Sequence, residues 1–286
     1  MTTPTAWRNQ ELRAGIDTAA ADLAAAWSAL VLAQRALLAA LRRSTRGPVP
    51  GRATVLRAAI AAFNRAVAEF DQAAVGVAER WASLELPIAY RHGAEAALRT
   101  AVLRPGQVWP AFTWTPGHQG AVQVLSAGAY QALVTRINET VRRARVFVRA
   151  ASAGTLRAAA VDPDQLEREH RLEAVIYGDS TRYPAAAWAR SALAAQAVTA
   201  ANTAAARTAL DDLGTEWVEV SDGPECGWTG HSDPDRADGT LREAADAAVH
   251  PIAHPGCIRS LTPRPDLAGR DDIEPGQPAT DEEDDA

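Results

Sequence analysis

The chain has 286 residues, a net charge of −6 and a hydrophobic fraction of 47%, which suits one large domain or two modest domains with a buried core. Its two cysteines exclude a disulfide framework, and the N-terminus lacks the basic-then-apolar layout of a secretory signal. No uninterrupted apolar run is long enough to cross a bilayer. We therefore expect a protein without membrane contact, made in a reducing cytoplasm.

Charge is divided unevenly along the chain. Residues 1–157 carry nineteen arginines against nine acidic residues, a net of +10, whereas residues 158–286 carry a net of −16. A basic front half and an acidic back half suggest that the two halves meet different partners.

Two segments near the N-terminus have the apolar spacing of paired helices. Apolar residues alternate by four and three over 16–41 and 56–84, which fills consecutive a and d positions of heptads. Glycines and prolines at 43–51 end the first helix and form a turn. The pattern predicts a long antiparallel helical hairpin. Further helices must cover its seam, or a second subunit must do so by oligomerisation through the heptads. The predicted seam contains Ile16, Ala20, Leu23, Trp27, Leu30, Gln34, Leu37 and Leu41 in the first helix, and Leu56, Ile60, Phe63, Val67, Phe70, Ala74, Val77, Trp81 and Leu84 in the second.

Further helices are predicted as far as residue 212. Pro87 ends or kinks the second helix, and a helix resumes near His92. Residues 104–118 are rich in Pro, Gly and Trp and predict a loop with aromatic anchors. The later helices are expected over 121–160, from Asp162 to about Gly178, and from Pro184 to about Asp212.

Arginines cluster in the predicted helix 121–160. Arg142, Arg145 and Arg149 share one helical face. Arginine binds phosphates and carboxylates through bidentate contacts, so this face could meet DNA or an acidic partner. A solvated basic face on an ordinary amphipathic helix explains the same pattern, and both interpretations stay open here.

Residues 161–265 form the second predicted domain, a small α+β module after a basic helical domain at 1–160. Residues 215–220 alternate polar and apolar side chains and predict one strand. Both cysteines and three of the six histidines follow it, in Ser221-Asp-Gly-Pro-Glu-Cys-Gly-Trp-Thr-Gly-His231 and His250-Pro-Ile-Ala-His254-Pro-Gly-Cys257. Residues 266–286 have the composition of a disordered acidic tail.

The Cys/His spacing is compatible with one structural zinc ion. Cys226 and His231 flank four residues, and His254 and Cys257 flank two, so both gaps can close around a Cys2His2 site. His250 could replace either histidine. Two other interpretations remain: loop residues fixed by hydrogen bonds without a metal, and a Cys226–Cys257 disulfide, which a reducing cytoplasm disfavours.

The same segment resembles the C-terminal region of the phage Mu F-type (MuF) minor head proteins, also called phage head morphogenesis proteins. In that family a helix leads into a Trp-containing strand, an Asp-plus-Cys-x-x-Cys element, a glycine turn and a closing His-Pro-Asn-Cys-Arg-Cys. Cys226 falls on the first cysteine of the pair and 254–257 on the closing motif, within roughly residues 185–265. The second cysteine of the pair and the last cysteine of the closing motif have no counterpart here.

The resemblance implies a structural minor head protein of a tailed phage or prophage, acting in head morphogenesis or in DNA packaging and ejection. The helical periodicity predicts a mainly α protein, and the resemblance implies association with the portal and with capsid or scaffold proteins, with DNA as a further possible partner. Its place would be inside the virion head, after synthesis in the cytoplasm of the bacterial host.

A capsid maturation protease or a zinc-dependent hydrolase of the phage head is the alternative function. A serine protease brings a serine, a histidine and an acid into contact, and no nucleophile-elbow motif marks any serine. A catalytic zinc needs an open position and a nearby base, for which Glu225 is the candidate. No Walker A loop or dinucleotide fingerprint is present, so we expect no catalytic residues. The serines and histidines weighed are Ser126, Ser152, Ser180, His118 and His170.

Overall fold

The chain is mainly helical with a small antiparallel sheet near its C-terminus, as predicted. The computed structural model describes residues 10–45, 51–103, 106, 108, 110–156, 162–177, 180–230 and 235–279. The α-helices are α1 Gln10–Thr45, α2 Arg52–Arg80, α3 Leu86–Thr100, α4 Pro116–Leu156, α5 Pro163–Glu169, α6 Ala185–Arg207 and α7 Ala244–Val249. The strands are β1 Ala174–Ile176, β2 Arg182–Pro184, β3 Trp217–Ser221, β4 Leu241–Glu243 and β5 Ser260–Pro263.

The chain divides into two compact units, each built from segments that are separated in the sequence. The first unit comprises Met1–Asp17, Trp81–Ala129 and Ser191–Ala286, and the second comprises Thr18–Arg80 and Tyr130–Arg190. The domain boundary predicted between residues 160 and 161 lies outside the described residues.

Helices α1 and α2 form the predicted antiparallel hairpin in the second unit. The rings of Trp27 and Phe70 pack edge to face with centroids 4.7 Å apart, and Arg80 pairs with Asp22 at 2.7 Å. All eight residues of the predicted seam of α1 are buried. Helix α4 covers part of the seam, since the ring of Phe147 lies 5.0 Å from that of Phe63.

Helix α1 is also long and apolar enough to cross a membrane by length and composition, over Leu12–Ser44. Alanine and leucine keep the mean hydropathy of its best window at 1.5, although charged residues interrupt the apolar run; the expectation of no membrane contact stays a prediction. The indication is weak, since the core helix of a soluble protein meets the same criterion and 39% of that window is buried.

A π-helical turn, Trp81–Glu85, separates α2 from α3. Such a turn widens the helical repeat and shifts the apolar face. Trp81, at the start of the turn, is fully buried as predicted, whereas Leu84, within the turn, is 58% exposed, so the prediction that places Leu84 in the seam is wrong. Pro87 lies in the first turn of α3, where its missing N–H is tolerated. The predicted helix around His92 is present, but it begins at Leu86 and follows the π-helical turn without a break.

Several predicted boundaries differ from those observed. Helix α4 begins at Pro116, so His118 is helical and buried rather than part of a loop. Helix α5 starts where predicted, because the Asp162 side chain accepts a hydrogen bond from Asp164 N, but it ends at Glu169. An antiparallel hairpin of β1 and β2 follows, and Pro184 ends β2 instead of starting α6.

The C-terminal sheet has the order β4-β3-β5, with both pairs antiparallel. Only β3 is predicted from the sequence, because strands of three or four residues are too short to show an alternating pattern. The predicted disordered tail is wrong for residues 266–279, since Leu267 and Ile273 pack against Trp217 and Leu241. Residues 280–286 lie outside the described part of the chain.

Helices α3 and α6 approach each other closely at Gly93. A Cβ atom there would lie 2.2 Å from the carbonyl oxygen of Ala201. We expect Gly93→Ala to lower the free energy of unfolding by about 1–3 kcal/mol through overpacking, measured by urea denaturation. Gly76→Ala is the control, because a Cβ at Gly76 meets nothing within 4 Å and alanine is the better helix former. Equal stability of Gly93→Ala and the wild type would contradict this close packing.

Candidate metal centre

Cys226, His254 and Cys257 lie together in the first unit. Their ligand atoms are all within 4.8 Å of one another, and Cys226 Sγ lies 3.2 Å from His254 Nε2. Both cysteines are buried and His254 is partly buried. The cysteines are free thiols, so the structure does not contain the disulfide weighed above. These three side chains could bind a metal ion.

Two proline-containing turns position the cysteines. Residues 223–226 and 254–257 are each closed by a hydrogen bond from the cysteine N–H to the first carbonyl oxygen, at 3.0 and 2.9 Å. In the second turn Pro255 precedes Gly256, whose φ is +90°, as a type II turn requires. Each turn therefore ends on a cysteine and brings its thiol into the cluster.

A buried ion pair borders the thiols. Asp222 Oδ1 accepts a hydrogen bond from Cys257 Sγ at 3.2 Å, while Oδ2 accepts one from Arg259 Nε at 2.7 Å. Both side chains of this ion pair are fully buried. Arg259 thereby ties the loop of the first turn to that of the second. Its remaining N–H groups donate to the carbonyl oxygens of Gly227, Trp228 and His250.

Helix α6 and the ring of Trp228 support this arrangement. Asn202 Nδ2 donates to the carbonyl oxygens of Pro251 and Arg259 at 2.6 and 2.9 Å. The guanidinium groups of Arg242 and Arg259 lie 4.7 and 4.9 Å from the centre of the Trp228 ring, within the range of cation–π attraction. Sequence analysis does not identify Asn202, Asp222 or Arg259 as site residues.

The other predicted ligands are placed differently. His231 lies outside the described residues, so the four-ligand prediction stays a prediction. His250 Nδ1 lies 2.9 Å from Asp246 Oδ1, its ring packs against Trp228, and it is not among the three clustered residues. Glu225 is exposed and pairs with Arg236 at 3.5 Å, which does not suit a general base held at the cluster.

Burial, together with the Asp222 carboxylate, raises the pKa of the Cys226 thiol to about 11. Burial also raises the pKa of the Cys257 thiol. Without a metal, both groups therefore stay protonated at neutral pH, which makes them weak nucleophiles. A bound cation reverses this preference, because a coordinating thiol loses its proton.

Zinc binding is expected to release about two protons per ion near pH 8, because both thiols keep their protons there until the metal displaces them. Affinity should consequently rise with pH. Isothermal titration calorimetry in buffers of different ionisation enthalpy measures the release. Cys257→Ser should abolish zinc binding and with it the proton release, and a release near zero in the wild type would contradict the thiolate site.

His118, one of the histidines weighed for a protease, has both ring nitrogens engaged. Tyr90 Oη lies 2.8 Å from Nδ1, and Asp212 Oδ2 lies 3.0 Å from Nε2. Burial raises the pKa of Tyr90, so its hydroxyl donates to Nδ1 and the Nε2–H donates to Asp212. No ring nitrogen of His118 is left for a serine hydroxyl, and the geometry does not favour the protease alternative at this residue.

Comparison with known proteins gives no match to any family model, curated protein or solved structure. Function is therefore inferred from the donor atoms of the cluster, from the module that carries them and from the order of the sequence motifs. Two thiols and an imidazole are the donor types of structural zinc sites. In the described residues they are supported by buried hydrogen bonds.

Proposed function

We propose that this chain is a structural minor head protein of a tailed phage or prophage, similar to the MuF type, with a zinc ion bracing its C-terminal module. One observation supports this most directly. The helix, the Trp-containing strand, the cysteine turn and the closing His-Pro-Gly-Cys turn occur in the order of that family. In this structure they fold into one module in which Cys226, His254 and Cys257 converge.

The donor set fits zinc. A tetrahedral zinc ion with Zn–S bonds of about 2.3 Å holds two sulfur ligands about 3.8 Å apart, a spacing that the cluster can adopt with small side-chain movements. Asp222 Oδ1, 3.2 Å from Cys257 Sγ, adjoins the cluster but is not one of its three ligand atoms, and His231 stays the residue predicted as the fourth ligand. Two thiolates and a carboxylate exceed the charge of the ion by one, and the buried guanidinium of Arg259 balances the excess.

A metal brace is consistent with the modest core of this module. Its strands have three to five residues, and its main buried cluster consists largely of alanine and valine with Trp228. Small side chains bury little apolar area. Bound zinc would hold the two turns together and so stabilise the surface that meets other head proteins. In this role the chain binds partners and carries out no reaction.

The head function is tested in the bacterium that carries the gene. After prophage induction, heads are purified on a density gradient and analysed by quantitative mass spectrometry. We expect the chain to co-purify with the portal and the major capsid protein inside the virion, and deletion of its gene to lower the yield of infectious heads. Absence from purified heads, with normal yields after deletion, would overturn the proposal.

A further inference from the structure

A groove runs along the second unit between α2 and α4. It consists of two adjoining hollows of about 630 and 380 Å³, and Asp71 and Arg145 line both of them. On each helix the lining spans twelve residues, 64–75 on α2 and 138–149 on α4. That length is about 16 Å, or three turns of an α-helix.

The floor of the groove is aliphatic. Val67 and Val75 contribute from α2, and Val141 and Val148 contribute from α4. The two valines of each pair are seven or eight residues apart, which is two helical turns. A helix lying in the groove could therefore place apolar side chains seven residues apart against both pairs.

The two walls differ in charge. On α4 the wall is formed by the exposed side chains of Arg142, Arg145 and Arg149. Arg142 pairs with Glu139 at 2.7 Å, whereas no carboxylate of the described residues forms an ion pair with Arg145 or Arg149. The α2 wall carries neutral polar side chains and the carboxylate of Asp71. Only the α4 wall attracts anions.

We propose that this groove docks an amphipathic helix of a partner protein, with an apolar stripe in the groove and acidic residues along the flank that meets the α4 wall. The aliphatic floor and the carboxylate of Asp71 disfavour duplex DNA, which offers phosphates but no apolar stripe. The inference does not depend on the proposed head function, because the groove has this chemistry in any assembly.

The probe is a fluorescent synthetic helix of about 16 residues, with leucines seven residues apart, glutamates on one flank and glutamines on the other. Its matched control carries lysines in place of the glutamates. Fluorescence anisotropy with the full chain measures affinity for both peptides and for a labelled DNA duplex. We expect the wild type to prefer the acidic peptide over the lysine peptide.

Charge reversal in the groove tests the assignment. The double variant Arg145→Glu, Arg149→Glu should bind the acidic peptide at least about tenfold more weakly and the lysine peptide more tightly than the wild type does. Arg57→Glu, on α2 outside the groove, should change neither affinity. Circular dichroism melts confirm that each variant folds. The proposal fails if the acidic peptide does not bind the wild type or if charge reversal leaves its affinity unchanged. It also fails if the wild type binds the DNA duplex more tightly than the acidic peptide.

Discussion

Removal of the metal with excess EDTA is expected to lower the melting temperature of the protein by about 8–16 °C. A site filled at a thousand times its dissociation constant contributes about 4 kcal/mol, and 1 kcal/mol shifts the melting temperature of a unit of this size by about 2–4 °C. Differential scanning calorimetry of the full chain, purified without a histidine tag, measures the shift. Adding zinc back should restore the original transition.

The control for this prediction is Cys257→Ser, which removes one buried thiol from the cluster and replaces it with a smaller hydroxyl. Its transition should already lie near that of the metal-free wild type and should not respond to EDTA. Coincident wild-type transitions before and after chelation would show that hydrogen bonds alone fix the loops, which is the metal-free interpretation of the same residues.

Arg259→Met is expected to lower the free energy of unfolding by about 3–5 kcal/mol, since it leaves the buried carboxylate of Asp222 without its counter-ion. It also removes the donors to three backbone carbonyl oxygens, whose desolvation is then uncompensated. Methionine keeps much of the apolar stem of arginine, so the effect reports charge and hydrogen bonding rather than lost volume. Urea denaturation of the zinc-loaded protein measures it.

Arg270→Met is the matched control for this change. Arg270 also pairs with an aspartate, Asp272, but this pair is half-exposed, and an exposed ion pair stabilises a fold far less than a buried one. Adding Asp222→Asn to Arg259→Met should recover part of the loss, because it removes the unpaired charge. If Arg259→Met costs no more than Arg270→Met, the buried pair does not hold the two loops together.

The long helices could be predicted because their signal is local. In α1 the spacing of four and three identifies the buried face over its whole length, from Ile16 to Leu41. In α2 the same pattern holds as far as Trp81 and fails at Leu84, where the π-helical turn changes the repeat. That turn has no sequence signature of its own, since WASLE is an acceptable α-helical segment.

The short strands and the ordered part of the tail depend on distant partners. Strand β5 pairs with β3 across about forty residues, and Ile273 is buried because Trp217 and Leu241 lie beside it. No pattern within four residues distinguishes such a strand from a loop. The absence of hydrophobic periodicity after Pro265 indicates an irregular backbone, which is not the same as disorder.

The site could be predicted in part, for a similar reason. Each cysteine is the fourth residue of a turn with proline at its second position, and this local pattern can be read from the sequence. The convergence of the two turns depends on contacts between distant residues, such as the pairing of β3 with β5. The ion pair of Asp222 with Arg259 joins residues 37 positions apart, which spacing cannot reveal.

The central claim is that the convergence of Cys226, His254 and Cys257 creates a structural zinc site. Its most direct test is the metal content of the tag-free full chain, measured by elemental analysis and by native mass spectrometry. We expect close to one zinc per chain in the wild type, and loss of that zinc in Cys226→Ser and Cys257→Ser. A folded wild-type protein that binds no zinc, even when purified and titrated with zinc in excess, would contradict it.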